Sequence, residues 1–238
     1  MKGLRLYVAD RDAPPVEMPP PAPGRYWSRR GLAEWLVATL AEERATLAGI
    51  DHAFSFPREY FERHGLAPDW GAFLEDFRSH WPTDRDDNCV EFVRGGVCGD
   101  GAARGGNSRW RRLAERRTPR AKSVFHFDVP GSVAKSTHAG LPWLLRIREA
   151  PGARVHFWPF DGWAVPRGRS ALAEVYPSLW RGRFPAEERT PDQQDAYAIA
   201  AWMRERDRDG TLGEYLEPGL TEEESAIAAF EGWILGVR

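Results

Sequence analysis

The sequence predicts an α/β fold in which a mixed β-sheet is flanked by helices. Short apolar runs alternate along the chain with longer segments of helical periodicity. Two of the longer segments begin with Thr followed three residues later by Gln or Glu, the pattern of a helix capping box. Strands that alternate with helices are typical of layered α/β folds. With 238 residues and 42% hydrophobic content, the chain is long enough for one large domain or two small ones.

The first quarter of the chain predicts two strands and a helix. Residues 4–9 (LRLYVA) are typical of a short strand, and a proline-rich segment over 14–23 predicts an extended linker. Ser28 is a good N-cap for an amphipathic helix that ends near Arg44. Residues 46–51 are short and apolar, which predicts an interior strand whose carboxyl end carries Asp51.

The middle of the chain has the character of an insertion. From about 57 to 120, mixed aromatic and charged residues favour helices, and the glycine-rich stretch RGGVCGDGAARGG favours a mobile loop. Residues 123–129 (SVFHFDV) then indicate a strand or extended segment. The run HAGLPWLLRIRE predicts a helix over 138–149, which requires Pro142 to lie in its first turn.

The last third supplies two strands and two helices, predicted at 153–158, 170–176, 190–206 and from 221 onward. The first of these helices is marked by Thr190 at the N-cap, Pro191 at the first helical position and Gln193 two positions later. Thr221 and Glu224 form the second capping box. Together these elements predict one domain over residues 1–238, with the insertion at about 57–120.

Composition limits the classes of function. The net charge of -2 gives no overall attraction to nucleic acid, so such binding would require a local patch. No apolar run approaches the roughly 20 residues of a membrane span, and we expect a cytoplasmic protein with no membrane partner. The two cysteines, Cys89 and Cys98, lack a second Cys/His pair at zinc-finger spacing and are interpreted as free thiols.

Three acidic residues stand in runs that are otherwise apolar: Asp51, Glu174 and Asp195. An unpaired carboxylate in such a place is costly, so a shared divalent cation would explain all three. Two follow or end predicted strands, and one lies inside a predicted helix. This arrangement is what a metal-dependent phosphoryl-transfer site needs.

Each acidic residue also has a structural explanation. Asp51 could cap the turn into HAFSFP through its own backbone. Glu174 could form a buried pair with one of the many arginines. Asp192 lies in the first turn of its predicted helix, where the helix dipole favours a negative charge. Asp195 lies deeper in that helix and is the strongest ligand candidate.

Four stretches of the chain, taken together, resemble a known set of proteins. They are GIDHAFSFP, KSVFHFDVPGSVAKSTHAGLPWL, AEVYP and PDQQDAYAIAAW. Their order and spacing resemble uncharacterised bacterial proteins described as predicted nucleases with a ribonuclease H-like fold. The resemblance extends from about residue 26 to the end.

The resemblance implies a two-metal nuclease that uses Mg²⁺ or Mn²⁺. Asp51 and Glu174 would be strand carboxylates, and Asp192 and Asp195 would project from one face of a late helix. Asp51, Glu174 and Asp195 would be catalytic, and all four would bind metal. The residues that would contact phosphate or supply a proton are Lys122, Lys135, Ser136 and His138.

The chain departs from these proteins at its beginning. They usually start with a strand that ends in Asp and a return hairpin, and no such segment precedes the proline-rich linker here. We therefore expect a ribonuclease H-like sheet with its first strand missing and LRLYVA in place of a later core strand. An alternative function follows, a catalytically silent binding or interaction module whose exposed sheet edge favours self-association.

The basic run from Arg109 to Lys122 also allows two interpretations. Its arginines interleave with Trp110 on a predicted helix, which is typical of a local nucleic-acid patch. A solvated helical face paired with nearby carboxylates would give the same pattern.

Overall fold

Helices pack on both faces of a three-stranded parallel sheet in the computed structural model, which describes residues 3–24, 26–152 and 154–238. The strands are β1 (Tyr7–Val8), β2 (Val16–Glu17), β3 (Leu47–Ile50), β4 (Val155–Trp158) and β5 (Ser170–Glu174). The helices are α1 (Arg29–Leu40), α2 (Arg58–His64), α3 (Trp70–His80), α4 (Val90–Arg94), α5 (Leu113–Arg117), α6 (Ala134–Glu149), α7 (Pro191–Arg208), α8 (Gly213–Leu216) and α9 (Glu222–Glu231).

The central sheet has the order β3-β5-β4, with all three strands parallel. Its strands alternate between two apolar layers, as the period of two requires. Phe157 and Leu172 belong to one core cluster, and their neighbours Trp158 and Ala173 belong to the other. Both faces of the sheet are therefore covered, as is usual for parallel sheets.

The two helical layers differ in composition. The first contains the buried faces of α1, α3 and α6, and it is dominated by aromatic rings such as Phe56, Phe73 and Phe77. The second contains α7, α9 and the C-terminal segment, with Trp202 and Trp233 fully buried. The sheet lies between them, so a residue at the end of a strand can reach either layer.

The predicted helix starts are confirmed where a side chain caps the helix. The Ser28 hydroxyl accepts a hydrogen bond from the Gly31 N–H (3.0 Å) at the start of α1. The Thr190 and Thr221 capping boxes both form, and they begin α7 and α9. These contacts involve residues three apart, so the local sequence is sufficient to define them.

Strands β3, β4 and β5 confirm the three strands predicted for the core, with Ala153 of the predicted 153–158 strand outside the described residues. One detail of the prediction is wrong. β3 is an edge strand that pairs only with β5, so it is not interior to the sheet.

The N-terminal region forms a hairpin that the sequence did not indicate. Only Tyr7–Val8 of the predicted 4–9 strand is extended in a ladder, and it pairs antiparallel with Val16–Glu17 inside the predicted linker. The hairpin is separate from the central sheet and packs on α7. There the rings of Tyr7 and Tyr197 meet edge to face, with their centroids 5.7 Å apart. The expectation that LRLYVA belongs to the core sheet is therefore wrong.

The strand predicted over 123–129 is also wrong, because this segment forms turns. The neighbours Val124 and Phe125 are both buried, whereas a half-buried strand would alternate. The Ser123 hydroxyl accepts a hydrogen bond from the Phe125 N–H (3.2 Å), which closes a local turn.

Helix α6 begins at Ala134, four residues earlier than predicted, so Pro142 lies in its interior. Proline has no N–H to donate to the carbonyl four residues earlier, which is that of His138. The Thr83 hydroxyl donates to the His138 carbonyl (3.0 Å) and satisfies it. Thr83 lies 55 residues from His138, so the local sequence gives no sign that this carbonyl has a donor. The prediction therefore placed Pro142 in the first turn and started the helix too late.

The predicted insertion contains helices, as expected, and it shares its core with the rest of the chain. α3 packs along α6 and contributes to the aromatic cluster. The glycine-rich stretch packs closely as well. A Cβ atom on Gly106 would lie 2.4 Å from the Phe125 ring, so only glycine fits there.

Candidate functional site

Asp51 directly follows β3 and lies at the carboxyl end of the parallel sheet. Ligands of open α/β sheets bind at this end of the strands. The Asp51 side chain is solvent-exposed, and it opens into a cavity of about 850 Å³. A volume of this size is within the range of small-molecule sites in proteins.

The cavity lies between the two helical layers and runs along β3. Helices α1 and α6 form one wall, and α7 with the β1 hairpin forms the other. Its lining includes the large apolar side chains of Leu6, Leu36, Ile50, Trp143, Ile199 and Met203. Asp51, Asp192 and Asp195 also line it, and we call these three residues the acidic end of the cavity.

The Asp51 carboxyl is open to the cavity, and the protein around it includes other acids. Its pKa is raised to about 7, first because it is removed from bulk water and then because Asp195 and Glu174 are negative. Arg181 opposes this shift. Among the described residues Asp51 has no ion pair of its own, so its negative charge is available to a cation.

Asp195 and Asp192 reach the cavity from the first turns of α7. The Arg181 Nε atom lies 2.9 Å from the Asp195 Oδ1 atom, and this contact is partly open to solvent. Burial raises the pKa of Asp195, Arg181 lowers it and Asp192 raises it again. The structure thus brings three of the four predicted acidic residues together.

Glu174, the fourth, has a different partner. Arg112 binds its carboxylate in a bidentate manner, with Nη2–Oε1 and Nη1–Oε2 distances of 2.6 and 2.7 Å. The Phe54 N–H donates to the same carboxylate (3.1 Å). Both oxygens are therefore occupied, and Glu174 forms the buried arginine pair that the sequence allowed as an alternative.

Arg112 also joins two glutamates that the sequence did not single out. Its Nε atom donates to Glu115 (3.0 Å), and its Nη1 atom donates to the Glu231 carbonyl (3.2 Å). The Glu231 carboxylate accepts from the Arg58 and Leu113 N–H groups, both at 2.6 Å. We call Arg112, Glu115, Glu174 and Glu231 the Arg112 cluster.

The Arg112 cluster is closed to solvent and holds three carboxylates around one guanidinium. Burial raises the pKa of Glu115 to about 7, although Arg112 opposes it, and burial also raises the pKa of Glu231. The Glu174 pair joins residues 62 apart, and Glu231 lies 118 residues from Leu113. Only Glu115, three residues after Arg112, could have been found from local spacing.

Three predicted phosphate-contacting residues lie at or near the surface with protein partners. The Lys122 ammonium donates to the Pro130 carbonyl. Lys135 pairs with Glu91 (3.0 Å) and Asp128 (3.5 Å). Ser136 lines the cavity, but its hydroxyl donates to the Val133 carbonyl (2.9 Å).

The fourth, His138, is a core residue. It is 1% exposed, and its ring is within 6 Å of the ring centroids of Phe56, Phe77, Trp81, Phe125 and Phe127. Burial lowers its pKa to about 3, and its Nδ1 atom is 2.9 Å from the Ala134 carbonyl oxygen. Its ring has no side open to a ligand.

The basic run from Arg109 to Lys122 does not form one helical face. Helix α5 covers only Leu113–Arg117, and Arg112 points into the interior. Arg111 donates to the Glu115 and Ala121 carbonyls, and Arg117 pairs with Glu224. The exposed Arg109 has no ion pair among the described residues.

His52, next to Asp51, is a hydrogen-bonded structural residue, as a lone histidine in the sequence indicates. It is buried between the large cavity and the Arg112 cluster and lines the space on both sides. Burial lowers its pKa to about 4, and its Nδ1 atom is 2.9 Å from the Ala53 carbonyl oxygen. A Cβ atom on Gly140 would lie 2.3 Å from its Nε2 atom, so α6 requires glycine there.

The side chains present do not fit a two-metal centre. Among residues 3–24, 26–152 and 154–238, no group of three or more His, Cys, Asp and Glu side chains is arranged to hold a metal ion. Glu174 is engaged by Arg112, and Asp195 is paired with Arg181. The carboxylates that remain, Asp51 and Asp192, are fewer than two bridged ions need.

Comparison of the chain with protein-family models, with curated proteins and with solved structures gives no match. Within the described ranges, no helix has both the length and the apolar character that crossing a lipid bilayer demands. The function of the chain is therefore inferred from the cavity and the residues that line it.

Proposed function

We propose that the chain is a ribonuclease H-like domain that acts as a binding module, with the cavity along β3 as its ligand site. The single observation that carries this proposal is a cavity of about 850 Å³ with apolar walls and an acidic end. A large apolar cavity with a few convergent polar groups is the usual form of a binding site. Parallel strands with helices on both faces and acids near the strand ends support the fold assignment.

The charge distribution favours binding over hydrolysis. Glu174 is neutralised inside the protein, and Lys122, Lys135 and Ser136, which were predicted to contact phosphate, already have protein partners. The groups left for a ligand include the acidic end and the apolar walls of the cavity. A ligand with an apolar body and a positive group matches both.

A neutral apolar dye tests the cavity directly. Nile red should bind to the wild type with saturable, blue-shifted fluorescence, and Ala196→Phe should reduce this binding because Ala196 lines the cavity from α7. Ala229→Phe, at an exposed position on α9, is the matched control and should bind as the wild type does. Equal binding by the two variants would contradict the proposal.

A metal-dependent nuclease is the second candidate, and Asp51 favours it. A carboxyl whose pKa is raised to about 7 partly by negative neighbours would be stabilised by a bound cation. Asp51 and Asp192, which have no ion pair among the described residues, would be the protein contacts of that cation, which would supply Lewis-acid activation of a phosphodiester. The residues present fit at most one ion.

Calorimetric titration with Mg²⁺ and Mn²⁺ separates the two candidates. Binding in the wild type that disappears in Asp51→Asn and Asp192→Asn, and persists in Asp12→Asn, would favour the nuclease and justify screening nucleic-acid substrates. Asp12 is exposed on the hairpin turn and does not line the cavity. Absence of binding at millimolar metal would exclude the nuclease for this chain.

A further inference from the structure

The outer edge of β3 carries backbone groups without hydrogen-bond partners. The Val175 N–H donates to the Ile50 carbonyl (3.0 Å), so Ile50 faces β5. In a parallel pair alternate residues face the same neighbour, and Leu47 and Gly49 therefore direct their N–H and C=O groups away from β5. Within the described residues these groups make no hydrogen bond, which leaves a row ready to pair with another strand.

This edge borders the cavity along its whole length. Every residue from 46 to 52 lines it. Ala48 and Ile50 pack on the layer of α1 and α6, whereas Leu47 packs on the layer of α7. An added strand would place alternate side chains in both layers. Because both are apolar, a continuous apolar run fits best.

The position of the edge selects a peptide over a second copy of the chain. β3 is recessed between α1 and α6 on one side and α7 with the hairpin on the other. A folded second copy has the same walls in front of its own β3, so the two edges cannot approach to the strand spacing of about 4.8 Å. A single extended segment can enter between the walls, and the four residues of β3 correspond to a length of about 13 Å.

The charges at the two ends of the edge differ. At the carboxyl end are Asp51 and its acidic neighbours, whereas the lining of the cavity near the amino end is mixed and includes Arg169, which precedes β5, together with Glu42 and Asp207. Arg169 is exposed and has no ion pair among the described residues. A complementary segment carries a basic residue near Asp51 and an acidic residue near Arg169.

We propose that the cavity binds one extended peptide segment of a partner protein, about five apolar residues long, which adds to β3 as a fourth strand and presents a Lys or Arg to Asp51. This inference rests on the proposed function, because it identifies the ligand of the same cavity. The peptide backbone supplies the donors and acceptors that Leu47 and Gly49 lack, and its side chains fill the two apolar walls.

A labelled peptide of sequence EVIVIVK tests the pairing by fluorescence anisotropy. We expect saturable binding to the full chain. Replacing the central Val and the Ile after it by Pro should weaken binding about tenfold or more, because one of any two neighbouring residues directs its N–H toward β3 and proline removes that ladder donor. Equal affinity for the two peptides would overturn strand addition.

Variants of the protein test the charge and the walls. Asp51→Lys should weaken binding of EVIVIVK about tenfold and should strengthen binding of a peptide with Glu in place of its Lys, because the end charge is reversed. Ala196→Phe should abolish binding of EVIVIVK, and Ala229→Phe should leave it unchanged. Insensitivity of the binding to both Asp51→Lys and Ala196→Phe would overturn the site.

The outcomes also separate this inference from the proposed function. Nile red binding that Ala196→Phe removes, without any peptide binding, would retain the cavity as a binding site and overturn the peptide as its ligand. Failure of both ligands to bind would overturn both proposals. A dimer in sedimentation velocity that the peptide dissociates would assign the edge to a second copy and overturn the partner peptide.

Discussion

Glu174 ends β5 and Asp51 follows the neighbouring strand β3, and the groups of carboxylates to which they belong differ in what neutralises them. In the Arg112 cluster, a buried guanidinium and backbone N–H groups satisfy Glu115, Glu174 and Glu231. At the acidic end of the cavity, Asp51 has no ion pair among the described residues and has other acids for neighbours. The carboxylates of the Arg112 cluster are neutralised without a ligand, whereas a cationic ligand would neutralise those at the acidic end of the cavity.

This difference shows that an acidic residue in an apolar run does not by itself indicate a catalytic site. Glu174 and Asp51 both stand in apolar runs of the sequence, yet only Glu174 has a full set of protein partners. Removing one partner of a buried ion pair leaves an uncompensated charge inside the protein and destabilises the fold. The pair of Glu174 with Arg112 therefore has a structural role. An open carboxylate with a raised pKa is the better functional candidate.

Arg112→Leu should have the largest effect on stability, because it removes the cation of the Arg112 cluster. It leaves buried Glu174 and Glu115 without their cation, and we expect the free energy of unfolding to fall by about 3–5 kcal/mol. Urea denaturation measures this change. Arg109→Leu, at an exposed arginine without an ion pair, should change stability by less than about 0.5 kcal/mol. A loss below about 1 kcal/mol in Arg112→Leu would mean that the cluster is not neutralised by Arg112.

Gly140→Ala disturbs the residue between the two groups. The added methyl would lie 2.3 Å from the Nε2 atom of His52, so we expect a loss of about 1–3 kcal/mol from overpacking. Gly182→Ala is the matched control, because a Cβ atom there meets nothing within 4 Å. Thermal unfolding of both variants checks the prediction, and equal midpoints would contradict it.

The dependence of stability on pH separates the open carboxylate from the closed cluster. The pKa values of Asp51 and Glu115 are raised to about 7 in the folded state, so each carboxyl keeps its proton in the native protein between about pH 4.5 and 7, where the unfolded chain has lost it. These two groups therefore contribute a fall in stability as pH rises through this interval. The buried His52 and His138, whose pKa values are lowered to about 4 and about 3, contribute a rise in stability up to about pH 6.5 and oppose that fall.

Asp51→Asn should remove the Asp51 contribution, so between about pH 4.5 and 7 the stability of this variant should increase with pH relative to that of the wild type. Urea denaturation from pH 4.5 to 8 measures the slope, and Asp12→Asn provides the matched control. If Asp51→Asn and the wild type have the same slope, the folded-state pKa of Asp51 is not raised.

Arg181→Ala has the smallest expected effect on stability and changes the electrostatics of the acidic end of the cavity. Its pair with Asp195 is partly exposed, so the free energy of unfolding should change by less than about 1 kcal/mol. The pKa of Asp51 should rise further, because Arg181 lowers it. A carboxyl NMR titration measures this, and Arg183→Ala, which removes the exposed pair with Glu205, should leave it unchanged.

Elements defined by neighbouring residues were predictable. The capping boxes at Thr190 and Thr221 and the strand that precedes Asp51 follow from contacts within a few residues. The approach of Asp51 to Asp195 followed from their expected places at a strand end and in a helix. The segment 123–129 was not predictable, because its aromatic side chains are buried by distant rings and not by strand pairing.

The sequence by itself determined the α/β class, the helix starts and the position of Asp51 at a strand end, because each depends on local periodicity or capping. Only the tertiary structure decided which carboxylates are neutralised. Arg112 meets Glu174 across 62 residues, and Thr83 replaces the donor that Pro142 lacks. Burial and long-range pairing set the charge state of a side chain, and neither leaves a signal in the residues beside it.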